Sequence, residues 1–252
     1  MNEFLIQEDE TLEDLQIGGF KLIQKKKGFR FGMDAVLLAD FAFIRPKDQV
    51  ADFGTGTGIL PLLLYARGKG NRFLALEIQK DMAEMAQRTM MLNHLEDRIE
   101  VRNLDIGNAL EEIPCGSMDA IICNPPYGIP GHSMKNQAET LVISRHQDEH
   151  TLDTFFITAF RMLKGKGRLF LIYPAPQMFQ LMTALKRNHL EPKRFRLVYP
   201  DLHHGANLVL MEAVKDAKAL LHPLPPLIIY EQNGILTNEL KSIYHIQEQT
   251  TV

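Results

Sequence analysis

Two short stretches of this chain carry residue types that could do chemistry. The first is Asp52-Phe53-Gly54-Thr55-Gly56-Thr57-Gly58. Alternating glycines let a backbone approach a ligand closely, and a strand-to-helix turn is where open sheets bind ligands. The spacing excludes two common readings. In the nicotinamide fingerprint G-x-G-x-x-G the last position would be Ile59, counted from Gly54, or Pro61, counted from Gly56; neither is glycine. No Gly-Lys-Ser/Thr follows, so a phosphate-cradling P-loop is excluded too. The second stretch is Asn124-Pro125-Pro126-Tyr127. Consecutive prolines end a sheet ladder because neither can donate a hydrogen bond. Asparagine is too polar for the core, so the segment presents oxygen acceptors and an aromatic face to something outside the protein. Two further acids, Glu77 and Asp105, follow apolar runs. Singly, each has a plain alternative: Asp52 as a cap, Glu77 as a solvated side chain, Asp105 as a turn former, Asn-Pro-Pro-Tyr as a strand-ending turn.

These residues need elements to position them. Short apolar runs at 49–53, 71–77, 98–103, 118–124 and 168–174 read as strands, with two late strands at 195–200 and 207–214. Helices alternate with them. The first, ILPLLLYAR, is apolar on nearly all sides, with Pro61 tolerated in its first turn. The next carries Met82, Met85, Ala86 and Met90 on one face, a stripe that reads as core packing. TLDTFFITAFRMLKGKG, from Thr151, reads as a helix stopped by Gly165, and PQMFQLMTALKRN as another. This alternation predicts a doubly wound, mainly parallel seven-stranded α/β sheet with helices on both faces. Residues 1–48 read as a hairpin and helix extension, 49–215 as the core, and 216–252 as a C-terminal extension with a short helix at 237–244.

The acid-x-G-x-G-x-G loop, with Glu77 and Asp105 at later strand ends, resembles the S-adenosylmethionine loop of Rossmann-like class I methyltransferases. Asn-Pro-Pro-Tyr resembles the N-P-P-Y motif of enzymes that methylate planar nitrogens. FRFGMDAVLLADF at 29–41, RHQDEHTL at 145–152 and PLIIYEQNGILTNELKSIY at 226–244 are similar to the bacterial tRNA (adenine-N6) methyltransferase family, which modifies the adenine beside the anticodon of a valine tRNA. The resemblance covers nearly the whole chain. It implies S-adenosyl-L-methionine as cofactor, with contacts from Arg30, Phe31, Asp34, Asp52, Gly54, Gly56, Gly58, Glu77, Ile78, Asp105, Ile106 and Asn124. It implies a catalytic segment of Asn124, Pro125, Pro126 and Tyr127, and a tRNA substrate. GIPGHSMKNQAE, after Tyr127, departs from the family, and the long connection at 128–150 reads as a lid shaping substrate entry. Other N-P-P-Y enzymes, acting on protein glutamine, DNA or rRNA, are the alternatives, with a catalytically silent cofactor- or RNA-binding protein as the non-enzyme reading.

Composition sets further bounds. A net charge of −3 carries no global nucleic-acid signature, so an RNA site must come from local patches. The candidates are Lys26, Lys27, Arg145, His146, Lys186, Arg187, Lys193 and Arg194, which read equally as a solvated face. Two cysteines cannot make a structural zinc site; Cys123 reads as core and Cys115 as an incidental loop thiol. No metal is expected. No apolar run spans a bilayer and the acidic N-terminus lacks a signal-peptide pattern, so no membrane association and a cytoplasmic location are expected. A monomer is favoured, though nothing in the sequence decides oligomeric state.

Overall fold

The computed structural model describes residues 6–27, 32–125 and 144–245, with only the backbone of 144–151. Seven strands form the body of one sheet. In chain order they are β3 (Gln49–Phe53), β4 (Arg72–Glu77), β5 (Ile99–Asn103), β6 (Met118–Cys123), β7 (Leu163–Pro174), β8 (Leu190–Tyr199) and β9 (Leu208–Lys215), after a separate hairpin of β1 (Glu10–Asp14) and β2 (Lys21–Lys25). Their spatial order is β5-β4-β3-β6-β7-β9-β8. All pair in parallel except β9, which lies antiparallel between β7 and β8. Two two-residue strands, β10 (His222–Pro223) and β11 (Leu227–Ile228), add to the outer edge of β8. The sheet therefore has nine strands rather than seven, because the C-terminal segment finds the open backbone of β8.

The central strands are apolar on both faces because helices cover both. Along β3, Val50 faces one core and Ala51 the other; Phe73, Leu74, Ala75 and Leu76 alternate likewise along β4. One face is covered by α1 (Met33–Phe41), α2 (Ile59–Ala66) and α3 (Lys80–Leu92), and the other by α4 (Ala109–Glu112), α5 (Ser144–Met162) and α6 (Met178–Arg187). Met85, Ala86 and Met90 are buried, as the methionine stripe predicts. Helix α7 (Asn238–Ile243), capped by the Thr237 hydroxyl, returns Leu240 and Ile243 to the first core.

The hairpin docks on α3. The Thr89 hydroxyl accepts the Ile23 amide at 3.3 Å, and Asn93 exchanges hydrogen bonds with both backbone groups of Lys21. Arg88 grips the buried Glu10 carboxylate through two bonds of 2.6 Å. That hydrogen bond from Arg88 outweighs burial and holds Glu10 below the usual carboxylate range.

Three expectations are corrected. Helix α5 begins at Ser144, so part of the connection read as a lid is helical; residues 126–143 lie outside the described residues. The same helix ends at Met162, and Gly165 lies inside β7 rather than stopping the helix. The reason is a bulge: Met118 pairs with Leu163 but Ala120 with Arg168, so the extra residues loop out within the strand. Gly167 is confined there, since a Cβ would sit 3.0 Å from the Lys164 carbonyl. Strand β8 starts at Leu190 rather than Phe195, and the register shift between Pro192 and Arg194 is where it accommodates a proline.

Candidate active site

The chain leaves β3 outward through β4 and β5, then returns to the other side of β3 as β6. This reversal opens a crevice beyond the carboxyl ends of β3 and β6, where ligands bind in such sheets. The glycine loop and Asn124-Pro125 both emerge there. Phe53 pairs with Cys123, so the glycine loop and Asn124 emerge side by side.

The loop's conformation needs its glycines. Gly54, Gly56 and Gly58 have φ of +74°, +58° and +84°. Among the described residues a Cβ on Gly54 would meet nothing within 4 Å, so that backbone is open to a ligand's approach. A Cβ on Gly58 would lie 2.6 Å from Met90 Cε, so this glycine lets α2 pack on α3. The Gly54 and Thr55 amides both donate to the Leu76 carbonyl at 2.9 Å, tying the loop to β4.

Three acids are gathered at the crevice. Glu77 is buried at the end of β4; its Oε2 accepts the Gly56 amide and its Oε1 the Gln79 amide, each at 2.9 Å. Asp105 Oδ1 accepts the Gly107 amide at 2.8 Å and caps a short 3-10 turn. Asp52 is fully buried, and neither carboxylate oxygen has a hydrogen-bond partner among the described residues. Burial pushes its pKa up to about 7; nearby Thr55 opposes the rise and Glu77 adds to it. Thr55 Oγ1 is likewise buried with no well-formed hydrogen bond among the described residues, though it stands close enough to Asp52 to lower its pKa. An unpartnered buried anion is costly, and a site that keeps one is poised for a ligand's positive charge or N–H groups. Sequence reasoning missed Thr55; two threonines alternating with three glycines were the available signal, and their burial is visible only in the structure.

The other anticipated residues divide. Ile78 is 62% exposed at the crevice, an apolar platform beside Glu77. The Ile106 side chain joins the core instead, so only its backbone, whose carbonyl already accepts the Thr158 hydroxyl at 3.2 Å, is at hand. Asn124 is half-buried and Pro125 buried. Asp34 lies in the first turn of α1 and faces the C-terminal extension, where Tyr244 is raised by burial first and by Asp34 and Tyr230 next. Arg30, Phe31, Pro126, Tyr127 and the side chains of Arg145 and His146 lie outside the described residues. Cys123 is buried, its thiol pushed up by burial and by Asp52, whereas Cys115 is exposed.

The basic residues are not brought together. Strand β2 climbs α3 from Asn93 toward its amino end and leads Lys26 and Lys27 in that direction; Lys26 Nζ donates to the Glu8 carbonyl at 2.7 Å. Lys186, Arg187, Lys193 and Arg194 sit where α6 ends and β8 begins, at the opposite edge of the sheet. They are also engaged: Arg187 with Asp153 at 2.5 Å, Lys193 with the Lys218 carbonyl at 3.1 Å, Arg194 with Glu212 and over the Phe41 ring. Among the described residues no group of acidic, histidine or cysteine side chains could hold a metal, and no helix is long and apolar enough to cross a membrane.

The methyltransferase small domain family matches residues 33–191. The chain belongs to that family. It is 30% identical over 218 residues to the tRNA1(Val) (adenine(37)-N6)-methyltransferase of Aliivibrio salmonicida, covering 86% of this chain and 90% of that protein. The enzyme of the same name from Tolumonas auensis is 30% identical over 193 residues, covering 76% of this chain and 79% of that one. Among solved structures, a predicted O-methyltransferase from Agrobacterium tumefaciens superposes with a TM-score of 0.69 at 24% identity, over 84% of this chain and 96% of that chain. At that identity the match speaks for the fold. A family member with this crevice is a methyltransferase by architecture, and the unpartnered Asp52, the open backbone of Gly54 and the apolar Ile78 suit a cofactor with a cationic head and a flat ring.

Proposed function

We propose that this methyltransferase transfers a methyl group from S-adenosyl-L-methionine to the N6 amine of an adenine in tRNA, the adenine beside the anticodon of a valine tRNA. The observation that carries the reading is the placement of Asn124-Pro125 one strand from the unpartnered Asp52, in a chain whose relatives bear that activity in their names. Asp52 and the glycine loop hold the amino-acid end of the cofactor, Glu77 its ribose, and Ile78 and Asp105 its adenine. When bound, the cofactor supplies an electrophilic methyl on a sulfonium sulfur.

The chain's own residues do the rest. An exocyclic adenine amine is a poor nucleophile because its lone pair is delocalised into the ring. The Asn124 side-chain oxygen and the Pro125 carbonyl accept its two N–H groups. That favours a more tetrahedral nitrogen and turns its lone pair toward the incoming methyl; the nitrogen–carbon bond forms as the sulfur–methyl bond breaks, and the nitrogen then loses its extra proton to water. Proline rigidity at 125 holds the acceptors in place, so positioning carries most of the rate. A loop adenine is already unpaired, so presenting it costs less than extruding one from a duplex. Lys26 and Lys27 meet the RNA backbone. The protein works in the cytoplasm with tRNA as its partner.

The test is transfer from labelled S-adenosylmethionine to unmodified total tRNA, read by nucleoside mass spectrometry, beside Asn124→Ala. N6-methyladenosine formed only by the wild type, with cofactor affinity retained in the variant, is the expected outcome. Labelled protein or DNA with unlabelled tRNA would overturn the substrate assignment.

A further inference from the structure

The C-terminal extension builds a second concavity on the same edge of the sheet. Strand β11 pairs with the end of β8, and the Ile229 and Tyr230 amides continue the ladder to the carbonyls of Tyr199 and Pro200 at 2.9 and 2.8 Å. The chain then turns tightly. Gly234, at φ +75°, donates to the Glu231 carbonyl at 2.9 Å, Glu231 to Ile235 at 2.8 Å, and Tyr230 bridges to Leu236. Thr237 fixes the return, its hydroxyl donating to the Ile228 carbonyl at 2.7 Å. Opposite stands the β8–β9 loop, itself fastened by Asp201, which accepts the His203 and His204 amides at 2.7 and 3.2 Å and pairs with the His204 ring.

Between these two walls lies a cavity of about 220 Å³, lined by Asp201, Leu202, His203, Tyr230, Glu231 and Gln232, with the Asp201 carboxylate already paired to His204. It adjoins a wider recess of about 620 Å³ that shares Leu202, Tyr230, Glu231 and Gln232. The lining is specific in kind. Leu202 is 72% and Tyr230 40% exposed, which is unusual for side chains held by so ordered a backbone. Gln232 carries both an amide donor and an acceptor, and Glu231 a carboxylate. Among the described residues no lysine or arginine lines either space. Such a site stacks a flat ring and reads its N–H edge, while its carboxylate repels phosphate.

Position selects the ring. Strand β8 lies three strands from β6, which Asn124 follows, and β11 four, so the space lies about 14–19 Å away at ordinary strand spacing. Both open on the carboxyl edge. That separation is a reach of a few nucleotides along unstacked RNA.

We propose that the space between Leu202, Tyr230 and Gln232 receives an unpaired nucleobase of the RNA substrate, a few nucleotides from the methylated adenine, and thereby helps select the substrate. The inference rests on the RNA reading above. Tyr230 and Leu202 sandwich or abut the base and Gln232 and Glu231 meet its edge; none touches the reacting amine.

The experiment compares wild type, Tyr230→Ala, Leu202→Ala and Tyr230→Phe on an anticodon stem-loop series with one abasic position at a time. The alanine variants are expected to raise KM for the RNA about tenfold or more, the scale of one lost stacking contact, with kcat, cofactor affinity and thermal midpoint unchanged. Tyr230→Phe retains wild-type KM. One abasic loop position penalises the wild type and no longer penalises Tyr230→Ala, a coupling that a merely structural role would not produce. Unchanged KM and an unchanged abasic profile in both alanine variants would overturn the inference while leaving the methyltransferase reading intact. A loss of dimer in sedimentation with unaltered KM would assign the cavity to a second copy of the chain instead. A wild type that methylates no tRNA would refute the proposed function and the inference with it.

Discussion

The Gly56 amide donates to Glu77 Oε2 at 2.9 Å, joining the glycine loop to the acid at the next strand end. One side chain thus shapes the loop and faces the crevice. Glu77→Ala leaves the Gly56 and Gln79 amides without their acceptor, and each such loss is worth about 1–3 kcal/mol. Cofactor affinity should fall at least tenfold by isothermal titration. Glu77→Gln retains one acceptor oxygen and should fall less. Equal affinity in Glu77→Ala and wild type would remove Glu77 from the site.

Asp52 gives a pH signature. Its folded pKa, about 7, lies above its ordinary value of 3.8, so the apo protein holds the proton more tightly than the unfolded chain. The associated stability is fully present below the unfolded value and is lost as pH rises through about 7. Asp52→Asn, which cannot ionise, should therefore raise the apo thermal midpoint at pH 8 more than at pH 5. The shift corresponds at most to something on the order of 4 kcal/mol. The same variant should bind cofactor more weakly at pH 8. Equal midpoints at both pH values would show that Asp52 is partnered in solution.

Gly58 is a packing position. Gly58→Ala adds a methyl 2.6 Å from Met90 Cε at a φ of +84°. Strain of about 1–3 kcal/mol should lower the denaturation midpoint. Gly58→Ala with Met90→Ala should recover part of the clash but not the backbone cost. A Gly58→Ala variant as stable as wild type would contradict the close helix packing.

The two edges of the sheet should respond differently to charge removal. Lys26→Ala with Lys27→Ala should weaken tRNA binding and flatten its dependence on salt, since each lost phosphate contact reduces that slope by about one. Lys186→Ala with Lys193→Ala should leave both unchanged. Filter binding across a salt series separates the cases, and the reverse result would move the RNA to the other edge.

Much of the candidate site is legible in the sequence because its conformational demands are local. Gly54, Gly56 and Gly58 all need positive φ, and only glycine adopts it without cost. Pro125 announces the end of a ladder. The alternating apolar runs reveal the sheet for the same reason: period and burial are properties of a few adjacent residues. The helix stop read at Gly165 failed because a bulge in β7 is set by its neighbour β6, not by its own residues. The basic run at 186–196 reads as one patch, yet Arg187, Lys193 and Arg194 are divided among partners far along the chain, Asp153, Lys218 and Glu212.

By itself, then, the sequence determined the fold class, the glycine loop after β3 and the ladder-ending Asn124-Pro125 after β6, since each follows from local backbone chemistry. Only the tertiary structure decided that Asp52 is buried with no well-formed hydrogen bond among the described residues, that Lys26 and Lys186 lie toward opposite edges, and that Leu202 and Tyr230 line a common space. Those facts depend on strand order and on chain segments far apart in sequence, and no local pattern encodes which of them will meet.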